Sequence, residues 1–427
     1  TTYKEKEEAE DSIDHLLEQL RLENRQIVIL IDEYDCQMTA NINNETLYKQ
    51  FQEKIKSIYA NIKDKFAIKF LGITGVTRLK DVSIFSVGSD IRDITNSSAY
   101  SQMIGFTRDE IKKFYIDYLK LAASYENNCN VDEVTDTQIE SLLDRLAQNY
   151  DGYCFDEDYE KKVFSTWSVN TFLQSVVDKK KVQFGEYWYD NGGLPSILVN
   201  YLKTHELNIF EYLDKDKFLK VSSDDFKNPT ALTTINQNVL MCQTGYLTLR
   251  SDLNKTSTVA LGIPNGEIYK ALNRLLANNI FKGNTDITDD YGRSLLEVGT
   301  VDDIINLFNS ALNSVSYDNY PIVSESSVQN MLKLYLLGAH QEVLSEVHEA
   351  KGRADLIVNT DNRRIVFEFK YAKNETETKA KLSEAVEQIK TRDYGNILPK
   401  KNELIRIAAV FNADPKVRAF TENQIVP

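Results

Sequence analysis

The sequence has little of what builds several common kinds of site. Its four cysteines, Cys36, Cys129, Cys154 and Cys242, are scattered, with no pair at metal-ligand spacing. They read as free thiols in a reduced compartment, so a cytoplasmic location is the expectation. Four histidines in 427 residues argue against a His-rich metal centre. Long apolar runs are missing too. The longest purely aliphatic stretch is Ile27 to Ile31, whereas a bilayer needs about 20 apolar residues, so no membrane partner is expected. Thr1 to Arg25 is charged and helical in pattern, unlike a signal peptide. Because the first residue is Thr, a processed or trimmed product is expected. No Gly-x-x-x-x-Gly-Lys-Ser/Thr run occurs, so the backbone N–H groups and lysine that would cradle the β- and γ-phosphates of a nucleotide are not in evidence. An excess of positive charge is absent as well: the net charge is −14, which argues against broad electrostatic capture of nucleic acid.

What is present is ordinary for a soluble globular chain: 42% hydrophobic and 27% charged residues. The length implies two or three domains. The acidity is uneven. From Pro321 to Pro427 there are 16 Lys+Arg against 15 Asp+Glu, which leaves 34 against 49 for the rest. The acidic N-terminal two-thirds could dock a protein partner, while residues 321–427 are free of that charge burden.

Along the chain, residues 5–24 read as a charged amphipathic helix. Ile27-Val28-Ile29-Leu30-Ile31 is a continuous aliphatic run, the pattern of a strand buried on both faces of a parallel sheet. A helix over 44–63 and a second such strand, 67–75, complete a βαβ unit. Thr107-Arg108-Asp109-Glu110 is a capping box. The helix it opens carries Ile111, Phe114, Tyr115, Tyr118, Leu119 and Ala122 on one stripe. Helices continue over 135–149 and 168–178. The middle is mostly helical, with a short strand at 245–249. From 325 the order is helix (326–338), three strands (343–349, 353–358, 363–371), helix (376–391) and strand (404–411), with a turn at Asn359-Thr360-Asp361-Asn362.

Two segments of this last region carry chemistry. Gly352-Arg353-Ala354-Asp355 lies on one strand and Ile365-Val366-Phe367-Glu368-Phe369-Lys370 on its hairpin partner. Alternation puts Glu368 and Lys370 on one face and Ile365, Phe367 and Phe369 on the other. Two carboxylates on adjacent strands, with a lysine beside them, suit a hard divalent cation held next to a phosphate. Asp355 and Glu368 are the expected metal ligands, with the backbone carbonyl of Phe369 as a third. Lys370 would orient or deprotonate the attacking water, or neutralise transition-state charge. Each residue has a plainer reading: a half-exposed strand with alternating charges and aromatics, a turn-capping aspartate. It is their joint order that favours the nuclease reading.

The order Gly-x-x-Asp, Glu-x-Lys, then Gln388 on the next helix resembles the PD-(D/E)XK nuclease superfamily, with its restriction-endonuclease-like αβββαβ fold. The resemblance implies a catalytic set of Asp355, Glu368, Lys370 and Gln388, the glutamine contacting phosphate or base. It also implies a helix acid completing the site, for which Glu325 is the candidate and Glu346 a competitor. A Gln-x-x-x-Tyr variant would place Tyr at 392, but this chain has Arg392, with Tyr394 two positions on.

Near the N-terminus, Ile27 to Glu33 resembles a Walker B strand. That implies Asp32 for Mg²⁺ support and Glu33 for polarising water, with Thr74 at a sensor position. Gly72-Ile73-Thr74-Gly75-Val76-Thr77-Arg78, Val82-Ser83-Ile84-Phe85-Ser86, Tyr150-Asp151-Gly152-Tyr153, Gln243-Thr244-Gly245-Tyr246-Leu247 and Leu261-Gly262-Ile263-Pro264-Asn265 resemble one bacterial family, which joins an AAA-ATPase-like domain to a C-terminal PD-(D/E)XK domain. The 26 residues before Ile27 are too few for the strand, phosphate-binding loop and helix that come first in that family, so either those parts are trimmed from this chain or the ATPase domain is degenerate. Asp32 and Glu33 are therefore expected to be a vestigial nucleotide site and ATP is not the expected cofactor.

These readings converge on an α/β protein. It would have a truncated P-loop/AAA-like domain (1–105), a mostly helical lid or linker region (106–310) and a restriction-endonuclease-like domain (311–427). The expected activity is Mg²⁺- or Mn²⁺-dependent hydrolysis of nucleic acid, with DNA favoured over RNA. The alternatives are an inert nuclease fold used as a protein-interaction module, and a nucleotide-driven ATPase.

Overall fold

The computed structural model describes residues 9–62, 68–78, 91–190, 196–202, 205, 208–229, 234–282, 284–349, 352–396 and 399–427. The chain is mixed α/β and divides into two compact units, one of residues 1–207 with 215–269, the other of residues 208–214 with 270–427.

In the first unit, helix Ala9–Leu22 leads into strand β1 (Ile27–Ile31), helix Glu45–Ile62 and strand β2 (Ile68–Ile73). β1 and β2 pair in parallel, as a βαβ unit requires. Leu17 and Leu20 of the first helix pack on Ile27 and Ile68. The expectation of strands buried on both faces is not met. Val28 is 56% exposed, Leu30 73% and Phe70 57%. These share one face of a two-stranded sheet, and helix Ala9–Leu22 packs on the other. An unbroken aliphatic run reports strand propensity and cannot say how many layers cover the strand. Val82 to Ser86 lie outside the described residues.

Beyond it, Thr107 and Glu110 form the capping box, Glu110 Oε2 accepting from Thr107 N at 2.9 Å. The helix it opens breaks at Tyr115 into Arg108–Phe114 and Ile116–Asn127. The break alters the stripe: Ile111, Leu119 and Ala122 are buried, whereas Phe114 and Tyr118 stand in solvent. The buried residues join Leu142, Leu146, Val169 and Phe172 from helices Asp136–Tyr150 and Thr166–Lys179. The middle also holds a small antiparallel sheet, β3 (Leu219–Ser222), β4 (Thr248–Leu249) and β5 (Thr258–Gly262), in the order β3-β5-β4. Only its shortest member overlaps a strand expected from sequence.

The second unit is built on a five-stranded sheet. Helix Val301–Asn313 and helix Glu325–Gly338 precede β6 (Glu342–Glu349), β7 (Gly352–Asn359) and β8 (Arg363–Ala372). Helix Glu375–Arg392, β9 (Glu403–Asn412) and β10 (Ala419–Val426) follow. The order is β10-β9-β8-β7-β6; β8 and β9 are parallel and the other pairs antiparallel. β10 is an edge strand that polar alternation concealed in the sequence. It bulges between Phe420 and Glu422, and Asn309 pairs there in place of a strand, donating to Phe420 O at 3.1 Å and accepting from Phe420 N at 2.7 Å.

Central strand β8 is buried along most of its length. Phe367 stacks on Phe369 and meets Phe308 on one face. On the other, Val366 packs with Ala385 and Ile389 of helix Glu375–Arg392 and with Tyr394. The polar pair Glu368 and Lys370 therefore sits on a face covered by protein, not on a half-exposed one. A central strand of a covered sheet buries its polar side chains only where partners hold them.

Candidate metal centre

Three carboxylates from three elements converge in the second unit. Glu325 opens its helix just after N-cap Ser324, Asp355 lies on β7 and Glu368 on β8. One oxygen from each lies within 4.8 Å of the other two. The ladder explains part of this. Leu356 pairs with Phe367, so Asp355 falls opposite Glu368 one step beyond the last paired residues. The side chain of Glu346 lies outside the described residues.

Two backbone contacts fix Asp355. Its Oδ2 accepts from Phe369 N at 2.8 Å, and its carbonyl accepts from Gln329 Nε2. Gln329 lies one helical turn after Glu325, so the helix that supplies the outer carboxylate also steadies the inner one. Sequence reasoning missed Gln329; its i, i+4 spacing from Glu325 was the available signal.

Glu368 is fully buried. Its Oε1 accepts from Lys370 Nζ at 2.9 Å, while its Oε2 is buried with no hydrogen-bond partner among the described residues. Leaving a buried carboxylate oxygen unsatisfied costs free energy that native structures normally avoid. Burial pushes the Glu368 carboxyl up to about 7, and the neighbouring charge of Asp355 adds to the rise against the pull of Lys370. An orphaned oxygen beside two further carboxylates is what a hard divalent cation would satisfy, so these residues fit such an ion.

Lys370 is the counterweight. Its ammonium donates to Glu368 Oε1, to Glu325 Oε1 at 3.2 Å and to Phe369 O at 3.1 Å. Burial works to lower its pKa, but Glu368 beside it, with Glu325 and Asp355, raises it above the usual lysine range. Lys370 is thus a fully bonded, proton-holding cation. The Phe369 carbonyl, expected as a ligand, here receives the lysine.

Gln388 is on the helix that covers this face of β8. Its Nε2 lies 3.5 Å from Tyr394 Oη, which also accepts from Arg392 Nη1 at 2.9 Å. The structure so brings Glu325, Asp355, Glu368 and Lys370 into direct contact and groups Gln388 with Arg392 and Tyr394.

In the first unit, Asp32 and Glu33 are exposed at the end of β1. Asp32 Oδ1 accepts from Thr74 Oγ1, and Glu33 adopts φ +50°. The buried acid of the segment is Asp35, which accepts from Val76 N at 3.1 Å and Thr77 N at 2.6 Å. Asp35 ties the turn after β1 to the turn after β2, a role sequence reasoning did not assign. An open cleft of about 1790 Å³ runs from Asp32 and Thr74 past Arg78 to Cys154 and Cys242.

Comparison with known proteins agrees with this layout. Residues 323–421 match the family model described as "PD-(D/E)XK nuclease superfamily", and residues 1–85 match the one described as "Predicted AAA-ATPase". The chain is also similar to "Uncharacterized protein in vnfD 5'region" of Azotobacter chroococcum mcd 1, with 23% identity over 401 residues, covering 91% of this chain and 70% of that one. No solved structure matches the chain. No helix among the described residues is long and apolar enough to cross a membrane.

Proposed function

We propose that this chain, AAA-ATPase-like at one end and nuclease-like at the other, is a divalent-metal-dependent nuclease that hydrolyses phosphodiester bonds, with DNA as the favoured substrate. The observation that carries the reading is the convergence of Glu325, Asp355 and Glu368 around an unpartnered buried oxygen, with Lys370 alongside.

Mg²⁺ or Mn²⁺ bound by Asp355 and Glu368 would supply a Lewis acid for the phosphate and a source of nucleophilic water at neutral pH. The remaining work falls to the chain itself. Asp355 is pinned from two sides, so its carboxylate is preorganised. Glu325 reaches the cluster from a helix start and, like Asp355, is only partly buried. Lys370 keeps its proton in this arrangement. That suits it to steady developing negative charge on the phosphate, and not to remove a proton from water.

The test is cleavage of labelled single-stranded and plasmid DNA with Mn²⁺ or Mg²⁺, with RNA of the same sequence as comparison. Metal-dependent cutting that vanishes in Glu368→Gln supports the reading. Cutting at the wild-type rate in that variant, or none in the wild type with either metal, overturns it and favours an inert nuclease fold.

A further inference from the structure

Helix Glu375–Arg392 ends at Asp393, which is left-handed (φ 51°), and the chain turns on through Gly395 (φ 91°). That reversal returns Tyr394 to the core, fully buried with Val366, Ala385, Ile389 and Ala408. Its hydroxyl holds Arg392 Nη1 at 2.9 Å, and that is the guanidinium's one hydrogen bond among the described residues. The Tyr394 O–H proton itself has no acceptor among them. A guanidinium carries five N–H donors, so most of this half-buried fork is uncommitted and it forms no ion pair among the described residues.

The helix on which it sits covers the face of β8 that carries Glu368 and Lys370. Glu384, Gln388 and Arg392 recur every four residues, hence on one stripe. Glu384 feels the charge of Lys370, and Arg392 feels Glu368 and Asp355. A cation that feels two of the three carboxylates, yet is tethered to a phenol, remains available to an incoming anion. Guanidinium matches phosphate oxygens two at a time.

We infer that Arg392, tethered by Tyr394, grips a backbone phosphate of the substrate strand adjacent to the one being hydrolysed. The inference rests on the nuclease reading above and extends it. Lys370 and the metal carboxylates serve the reacting phosphate; Arg392 sets the register of the strand that crosses them. The plainer role for an arginine in a last helical turn is to complement the helix dipole, and the test must tell the two apart.

Steady-state cleavage of a single-stranded DNA oligonucleotide in Mn²⁺ does so, run across a salt series with the full-length chain. Arg392→Gln is expected to raise KM about tenfold, to change kcat less than threefold and to flatten the slope of log(kcat/KM) against log[salt] by about 0.7, one phosphate contact on a single strand. Arg392→Lys should restore the salt slope and only part of KM. Helicity and thermal midpoint, measured in parallel, would be the only quantities to move if the arginine merely served the helix. Wild-type KM and salt slope in Arg392→Gln, with Glu368→Gln inactive, overturns this inference and leaves the nuclease reading intact. A drop in kcat beyond a hundredfold at constant KM also overturns it, placing the contact on the reacting phosphate instead. A wild-type chain that cuts nothing overturns both.

Discussion

Lys370 Nζ lies 2.9 Å from Glu368 Oε1, two positions along one strand and on one buried face. Removing either partner alone leaves an uncompensated charge in the interior. We expect Lys370→Met to lower stability by about 3 kcal/mol and to abolish cleavage. The double variant Glu368→Gln/Lys370→Met should recover most of that stability and none of the activity. Chemical denaturation and a cleavage assay on the same samples check this; a double variant as unstable as the single one would mean that the pair is not the seat of the loss.

The metal-free Glu368 carboxyl sits at about 7 because it is buried. A metal takes the ionised form, so each binding event below that value must release a proton. Mn²⁺ affinity should therefore weaken about tenfold per pH unit below about 7 and level off above it. Titration calorimetry from pH 5.5 to 8.5 reads this directly, and Glu368→Gln should bind weakly with a flat profile.

Gln329 acts on the site through the carbonyl of Asp355. Gln329→Leu keeps the volume of a buried helix residue but withdraws the donor. Supporting residues of this kind are worth about 10- to 100-fold in metal affinity, and we expect a loss of that size in Mn²⁺ binding. Restoration by Gln329→Glu would argue for a packing role, since a carboxylate cannot donate.

A separate acid sets a pH limit on the first unit. Glu267, buried in the first turn of its helix, accepts from Ser168 Oγ at 2.7 Å and Trp188 N at 2.8 Å. Burial outweighs these bonds and pushes its carboxyl up to about 7 from 4.5. The folded state thus holds this proton more tightly than the unfolded chain. Its contribution is complete below pH 4.5 and is lost as pH rises towards 7, a change on the order of 3 kcal/mol. Glu267→Gln should remove that slope from stability-versus-pH curves; an unchanged slope would assign it to other groups.

Much of the second unit was legible because its elements are long and locally consistent. Helix 326–338, the three strands after it, helix 376–391 and strand 404–411 all stand within a few residues of their expected bounds. The alternation that put Glu368 and Lys370 on one face holds, since a strand has no other option. Alternation could not say that this face is covered by a helix. Nor could it show Gln329 reaching a backbone carbonyl 26 residues away. β10 was hidden by its own polar run, Thr421 to Gln424, although it pairs with β9 along its length. Tyr115 shows another limit: an apolar helical stripe announces neither the interruption at that residue nor the exposure of Phe114 and Tyr118.

The ribbon of β1 and β2 meets water through Val28, Leu30 and Phe70. A ladder with solvent on one side opens locally at small free-energy cost, whereas β8 is hemmed in on both faces and by a strand on each edge. Deuterium should therefore replace amide protons around Ile29 and Leu71 long before those of Phe367 and Phe369. The looser of these two segments then ends at Asp32, and the more durable one carries Glu368.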